Sequence, residues 1–190
     1  MLDKNVLLVA GHGGSDPGAA YGKFIEKTLN LDVTLKIGAI LERHGVKVFY
    51  SRKTDKDFAL NDIVPLAIKV NAFIVMSVHH NAGGGHGWDT LEEVDDIRSS
   101  VLMQYLGQEF TKVGMPRHAV IKKWNDAHTD NWHAALRDGK ANRLIMGIGE
   151  YAFLDSSDNK KLDTDAELKV EAECYAKAIL KYLGITYKAA

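Results

Sequence analysis

The chain has 190 residues, 24 basic and 25 acidic side chains, a formal net charge of -1 and 46% hydrophobic residues. That length suits one domain with one core, and a near-neutral mix of charges offers no basic face for nucleic acid or an anionic membrane, so neither is expected as a partner. One cysteine against eight histidines excludes an intrachain disulfide and a cysteine-rich zinc finger, which leaves histidine and carboxylate as the donors for any metal.

Nowhere do about 18 apolar residues run together, so no membrane insertion is expected. The opening MLDKNVLLVAGHGG has too short an apolar stretch for a secretory signal. Val6 to Ala10 is a continuous apolar run ending in glycine, the pattern of a strand buried on both faces. From about Lys23 to His44, Leu29, Val33, Ile37, Ile40 and Leu41 recur at helical spacing, and Gly45 supplies the stop. Val46, Val48 and Tyr50 alternate as a second strand. Leu60 to Val70 reads as a helix that Pro65 kinks or splits, and Phe73 to Val78 as a third strand followed by a loop from His79 to Trp88. Ile97 to Val113 reads as a helix, Ala119 to Ile121 as a short strand and Leu144 to Ile148 as another strand. Thr164 and Glu167 form a capping-box pattern ahead of the stripe Leu168, Ala172, Tyr175, Ile179 and Leu183. Cys174 on that helix is expected to be a small buried hydrophobe.

Alternating strands and helices predict a single α/β domain, with a mixed, mostly parallel sheet and helices on both faces. Ligands in such folds bind outside the carboxyl ends of the strands. His12 follows the first strand by two residues, His79 directly follows the third, and Glu150 follows the Leu144–Ile148 run by two. The glycine loop GHGGSDPG between strand and helix is no phosphate cradle. A dinucleotide fingerprint starting at Gly11 needs glycine where Asp16 stands, and a phosphate loop ending at Gly22-Lys23 meets Pro17 and Phe24 at required positions. Zinc accepts histidine nitrogen and glutamate oxygen, and a catalytic zinc keeps three protein ligands and an open position for water. His12, Glu26 at the start of the first helix, and one histidine of the His79–His80 pair complete such a set, with Glu150 left over as a base. Neighbouring strand residues point to opposite faces, so only one of the pair enters the site, and the residues alone leave the choice open.

Five ordered blocks carry a resemblance: GHGGSDPGA at 11–19, Glu26 with Asn30, SRKTD at 51–55, SVHHNA at 77–82 and EYAFL at 150–154. Together they resemble the zinc-dependent N-acetylmuramoyl-L-alanine amidases of the type-3 amidase fold. The resemblance implies His12, Glu26 and His79 as zinc ligands, Glu150 as the catalytic glutamate, and Asn81 as a matched residue with substrate contact. His80 falls outside the pattern. The chain departs from the family at LNDIVPLAIKVNA, where an arginine is usual, at GWDTLEEV, and in WNDAHTDNWHAALRDG at 124–139. In that last stretch His133, beside Trp132, is a candidate for contact with an oxyanion or a sugar, against the plainer reading of a surface histidine. His44, His86, His118 and His128 are read as surface residues, with His86 nearest the cleft.

The implied activity is hydrolysis of the peptidoglycan amide that joins the lactyl group of N-acetylmuramic acid to L-alanine. Zinc-activated water is the nucleophile and Glu150 the general acid and base. A zinc peptidase or deacetylase acting on another amide and a catalytically inactive wall-binding module are the alternatives. The expected organisation is a catalytic domain at 1–184 with a tail or the start of a linker at 185–190, working as a monomer on muramyl-peptide substrate. A chain made in the cytoplasm without a signal and reaching the wall as an endolysin does is the expected setting, with a secreted protein trimmed to this domain as the other.

Overall fold

The computed structural model describes residues 4–121, 126, 130–131 and 133–189. Strand β1 (Asn5–Ala10) is followed by two short strands, β2 (Ala20–Tyr21) and β3 (Phe24–Ile25), and by helix α1 (Glu26–Arg43). Next come β4 (Val48–Tyr50), a 3-10 turn (Leu60–Asp62), α2 (Ile63–Lys69) and the long strand β5 (Ala72–Asn81). Strand β6 (Trp88–Glu92), α3 (Ile97–Lys112), β7 (Arg117–Ile121), α4 (Ala134–Ala141), β8 (Ile145–Phe153) and α5 (Asp165–Leu183) complete the order. Six strands form one sheet in the order β4-β1-β5-β8-β6-β7, with every neighbouring pair parallel except β6 against β8.

Strand β1 is buried at all its positions because both faces of the sheet are covered. Val6 and Leu8 pack with Val33, Ile37 and Leu41 of α1 in the core that α3 and α5 also close. Leu7 and Val9 point the other way, toward Ile63 and Ala67 of α2 and Ala135 and Leu136 of α4. This is the expected mixed, mostly parallel sheet with helices on both faces. Gly45, at φ +77, takes the left-handed position that ends α1, where a β-carbon would be strained. Both halves of the Thr164–Glu167 capping box are formed at the start of α5.

Two expectations shift. Pro65 neither kinks nor splits α2: it is the third residue of that helix, where a backbone N–H would have no intrahelical partner, and the break falls before Ile63. Strand β5 runs on through His79 and His80, and β8 through Glu150 to Phe153, so these site residues lie on strands instead of in the loops after them. Beyond residue 184, Tyr187 stacks on His44 with ring centroids 5.4 Å apart, and the Lys188 N–H donates to His44 Nε2 at 2.8 Å.

Candidate metal centre and catalytic carboxylate

The chain leaves β1 at Ala10, and His12 adopts a left-handed backbone, φ +58, an uncommon conformation outside glycine that tends to mark functional turns. Paired backbone bonds between Gly13 and Asp16, at 2.9 and 3.0 Å, close the turn. The SRKTD block staples it from below. Arg52, 1% exposed, donates from Nε to the Ala10 carbonyl and from Nη2 to the carbonyls of Gly11 and Lys27. Asp55 accepts from the Gly14 N–H and Asp57 from the Ser15 N–H, each at 2.8 Å. A buried guanidinium satisfied by backbone carbonyls thus holds the loop in place, a role the sequence reading did not assign to Arg52.

Glu26 is the first residue of α1 and is 3% exposed. Its Oε2 lies 3.1 Å from His12 Nε2 and accepts the Ala19 N–H at 2.9 Å, while its Oε1 lies 3.1 Å from His79 Nδ1. One donor atom from each of His12, Glu26 and His79 falls within 4.8 Å of the others. The second nitrogen of His12, Nδ1, sits 2.7 Å from Asp16 Oδ2, which fixes the ring and leaves Nε2 for the centre, the carboxylate–histidine arrangement common around metal ligands. The Asp16 that defeats the dinucleotide fingerprint therefore orients His12.

The loop glycines leave room for these side chains. A β-carbon at Gly11 would collide with the His79 ring, and one at Gly18, where φ is +64, would stand 2.5 Å from Glu26 Oε2 and 2.6 Å from His12. Two imidazoles and one nearly buried carboxylate are the donor set that zinc accepts, so the residues fit a divalent metal. Glu26 hydrogen-bonds with both imidazoles. The Glu26 hydrogen bond, followed by that of Asp16, outweighs burial and raises His12 to about 9. Burial alone would raise Glu26, but hydrogen bonds from His12 and His79 hold it well below the ordinary carboxylate range.

Glu150 is the register partner of His79 on one side and of Asp89 on the other. Two carboxylates directly opposite each other on an antiparallel pair repel. Asn81 resolves the conflict by donating its amide hydrogens to Glu150 Oε2 at 2.7 Å and Asp89 Oδ2 at 2.8 Å. Its amide is thereby committed to holding Glu150. Burial first, then the Asp89 and Glu26 carboxylates, pushes Glu150 up to about 7. Asp89 is also 2.7 Å from His118 Nδ1, so His118, though exposed as expected, belongs to this network. The sequence reading missed Asp89 and His118. An acidic residue in the register opposite Glu150 was the signal, visible only once β6 is known to pair with β8.

His79 and His80 diverge as strand neighbours should. The side chain of His79 meets Glu26, while that of His80 is buried against Asn30 and Glu171. His133 precedes α4 and, with His12 and His79, lines a cavity of about 500 Å³ that also includes Phe58, Ile63 and Ile148. Burial, with His79 and Arg137 adding to it, lowers its pKa. His86 is exposed and paired with Asp158, and His44 lies under Tyr187, and neither belongs to the three-donor cluster. His128, Trp132 and other parts of 122–132 lie outside the described residues.

This site is that of a hydrolase, with three side chains that could hold a metal ion and a carboxylate of raised pKa on the neighbouring strand. Residues 6–181 match the family described as N-acetylmuramoyl-L-alanine amidase, and the chain belongs to that family of peptidoglycan amidases. It is 31% identical over 182 residues to the sporulation-specific N-acetylmuramoyl-L-alanine amidase of Bacillus subtilis, covering 92% of this chain and 66% of that protein. It is also 31% identical over 190 residues to the endolysin of Bacillus phage SPP1, covering 98% of this chain and 69% of the endolysin. The N-acetylmuramoyl-L-alanine amidase AmiC2 of Nostoc punctiforme superposes with a TM-score of 0.83 at 25% identity, over 96% of this chain and 98% of that one. Among the described residues no helix is long and apolar enough to cross a membrane.

Proposed function

We propose that the chain hydrolyses the amide between the lactyl group of N-acetylmuramic acid and L-alanine in peptidoglycan, using zinc held by His12, Glu26 and His79 and Glu150 as general acid and base. The observation that carries the reading is the convergence of those three donors within 4.8 Å at the edge of the strand whose partner bears Glu150. Zinc bound there would supply Lewis acidity, lowering the pKa of water toward about 7 and polarising the scissile carbonyl. Asp16 keeps the His12 ring turned to the centre, and Asn81 keeps the Glu150 carboxylate in place. Glu150, raised toward neutrality, accepts the proton of the attacking water and passes it to the departing alanine amine. His133 and the apolar wall of the cavity beside His12 and His79 contact the substrate as it enters. The unit that does this is residues 1–184, and its setting is the bacterial wall, reached either by release from the cytoplasm or by secretion.

Two variants test the assignment on isolated cell walls. His12→Ala is expected to lose both zinc and activity. Glu150→Gln is expected to retain stoichiometric zinc while turnover drops by roughly 10²–10⁴. Near-normal turnover by Glu150→Gln would contradict the role given to that carboxylate.

A further inference from the structure

Behind the donors runs a second chain of polar groups that the reaction does not use. His80, on β5, is fully buried, and so are its partners Asn30 on α1 and Glu171 on α5. His80 Nδ1 is 2.8 Å from Asn30 Oδ1 and Nε2 is 3.1 Å from Glu171 Oε2. Asn30 in turn donates from Nδ2 to the Gly11 carbonyl at 3.1 Å and to Glu26 Oε1 at 3.2 Å. The backbone N–H of His80 reaches the same Glu26 oxygen at 3.3 Å.

These contacts fix the direction of the bonds made by Asn30. The Gly11 carbonyl and the Glu26 carboxylate only accept, so the amide nitrogen of Asn30 faces them and its oxygen faces His80. His80 therefore donates from Nδ1. Glu171 holds the opposite nitrogen, and its other oxygen, Oε1, has no hydrogen-bond partner among the described residues. A buried polar pair left partly unsatisfied is a poor source of stability, because two well-packed apolar residues would serve as well or better. What the pair does supply is orientation, since it permits one rotamer of Asn30 and so one placement of Glu26.

We propose that His80, anchored by Glu171, is a positioning residue that acts through Asn30 and its own backbone N–H to fix the Glu26 carboxylate as a metal ligand. This rests on the metal reading above. Outer partners of this kind set ligand orientation, and losing one costs roughly 10- to 100-fold in metal affinity.

The test is zinc binding to the metal-free protein, measured by competition with a chromophoric chelator, with cooperative thermal unfolding of each apoprotein as the check on folding. His80→Gln keeps a group that reaches Glu171 but gives up the donor to Asn30, and is expected to bind zinc 10- to 100-fold more weakly. His80→Asn keeps a donor near the position of Nδ1 and is expected to recover most of that loss. Should the glutamine variant fail to fold, Glu171→Leu breaks the same chain at its far end, with the same expected loss. Wild-type affinity in a folded His80→Gln or Glu171→Leu, or equal weakness in His80→Gln and His80→Asn, would overturn this inference alone. A wild-type chain that takes up no zinc would overturn the metal reading and this inference with it.

Discussion

Asp89 and Glu150 face each other across β6 and β8, joined by one amide, and that arrangement is expected to set the pH dependence of the site. The proposed base, Glu150, can act only when ionised. Burial, Asp89 and Glu26 push its pKa up to about 7, so activity is expected to fall as pH drops through that range, and a dication held by the three donors would move the limb downward. Asp89→Asn removes one of the groups that raises the pKa. Its acid limb of kcat/KM is expected to move to lower pH, by on the order of half a unit, and an unmoved or higher limb would separate Asp89 from Glu150. At this scale the donors were legible because the blocks that carry them are short and ordered. The supports were not. Asp16 and His12 are four residues apart, but Arg52, Asp89 and Glu171 reach the site from distant segments, and only the register of the sheet brings them there.

The elements read from periodicity were those with an unbroken apolar stripe: β1, α1, α3 and α5 stand within a few residues of expectation. Strand β6 escaped because Asp89, Thr90 and Glu92, polar by type, are buried between β8 and β7. A polar strand in the middle of a sheet has neither the alternation nor the apolar run that marks a strand. Helix α4 escaped because its eight residues include Gly139 and present only Ala135 and Leu136 to the core. The end of β8 was cut short at Ile148 because Gly149 and Glu150 interrupt the run, although Tyr151 to Phe153 continue it. Where the local signal is complete, its energetic share can be measured. Thr164→Ala removes the side-chain acceptor of the α5 capping box and is expected to cost about 1 kcal/mol in urea unfolding, with no change in zinc content. A loss of metal in that variant would mean that the N-terminus of α5 is coupled to the site.

Across the whole molecule, the sheet does two separate jobs. Its two buried faces supply the core, and the carboxyl edge formed by β1, β5 and β8 carries His12, His79 and Glu150. The lone cysteine is buried in α5 and plays no part at that edge, so the bias toward histidine noted in the composition resolves into two imidazoles and a carboxylate. The same set of groups would serve an amidase, a peptidase or a deacetylase, since each needs water activated beside a carbonyl. The bond cleaved is therefore the central claim, and product analysis tests it most directly. Digestion of purified cell walls by the zinc-loaded wild-type protein, followed by amino-terminal analysis, a reducing-sugar assay and mass spectrometry of the fragments, is expected to yield new L-alanine amino termini with no new reducing ends. Free amines on the sugars, or new amino termini only at other positions of the stem peptide, would contradict it.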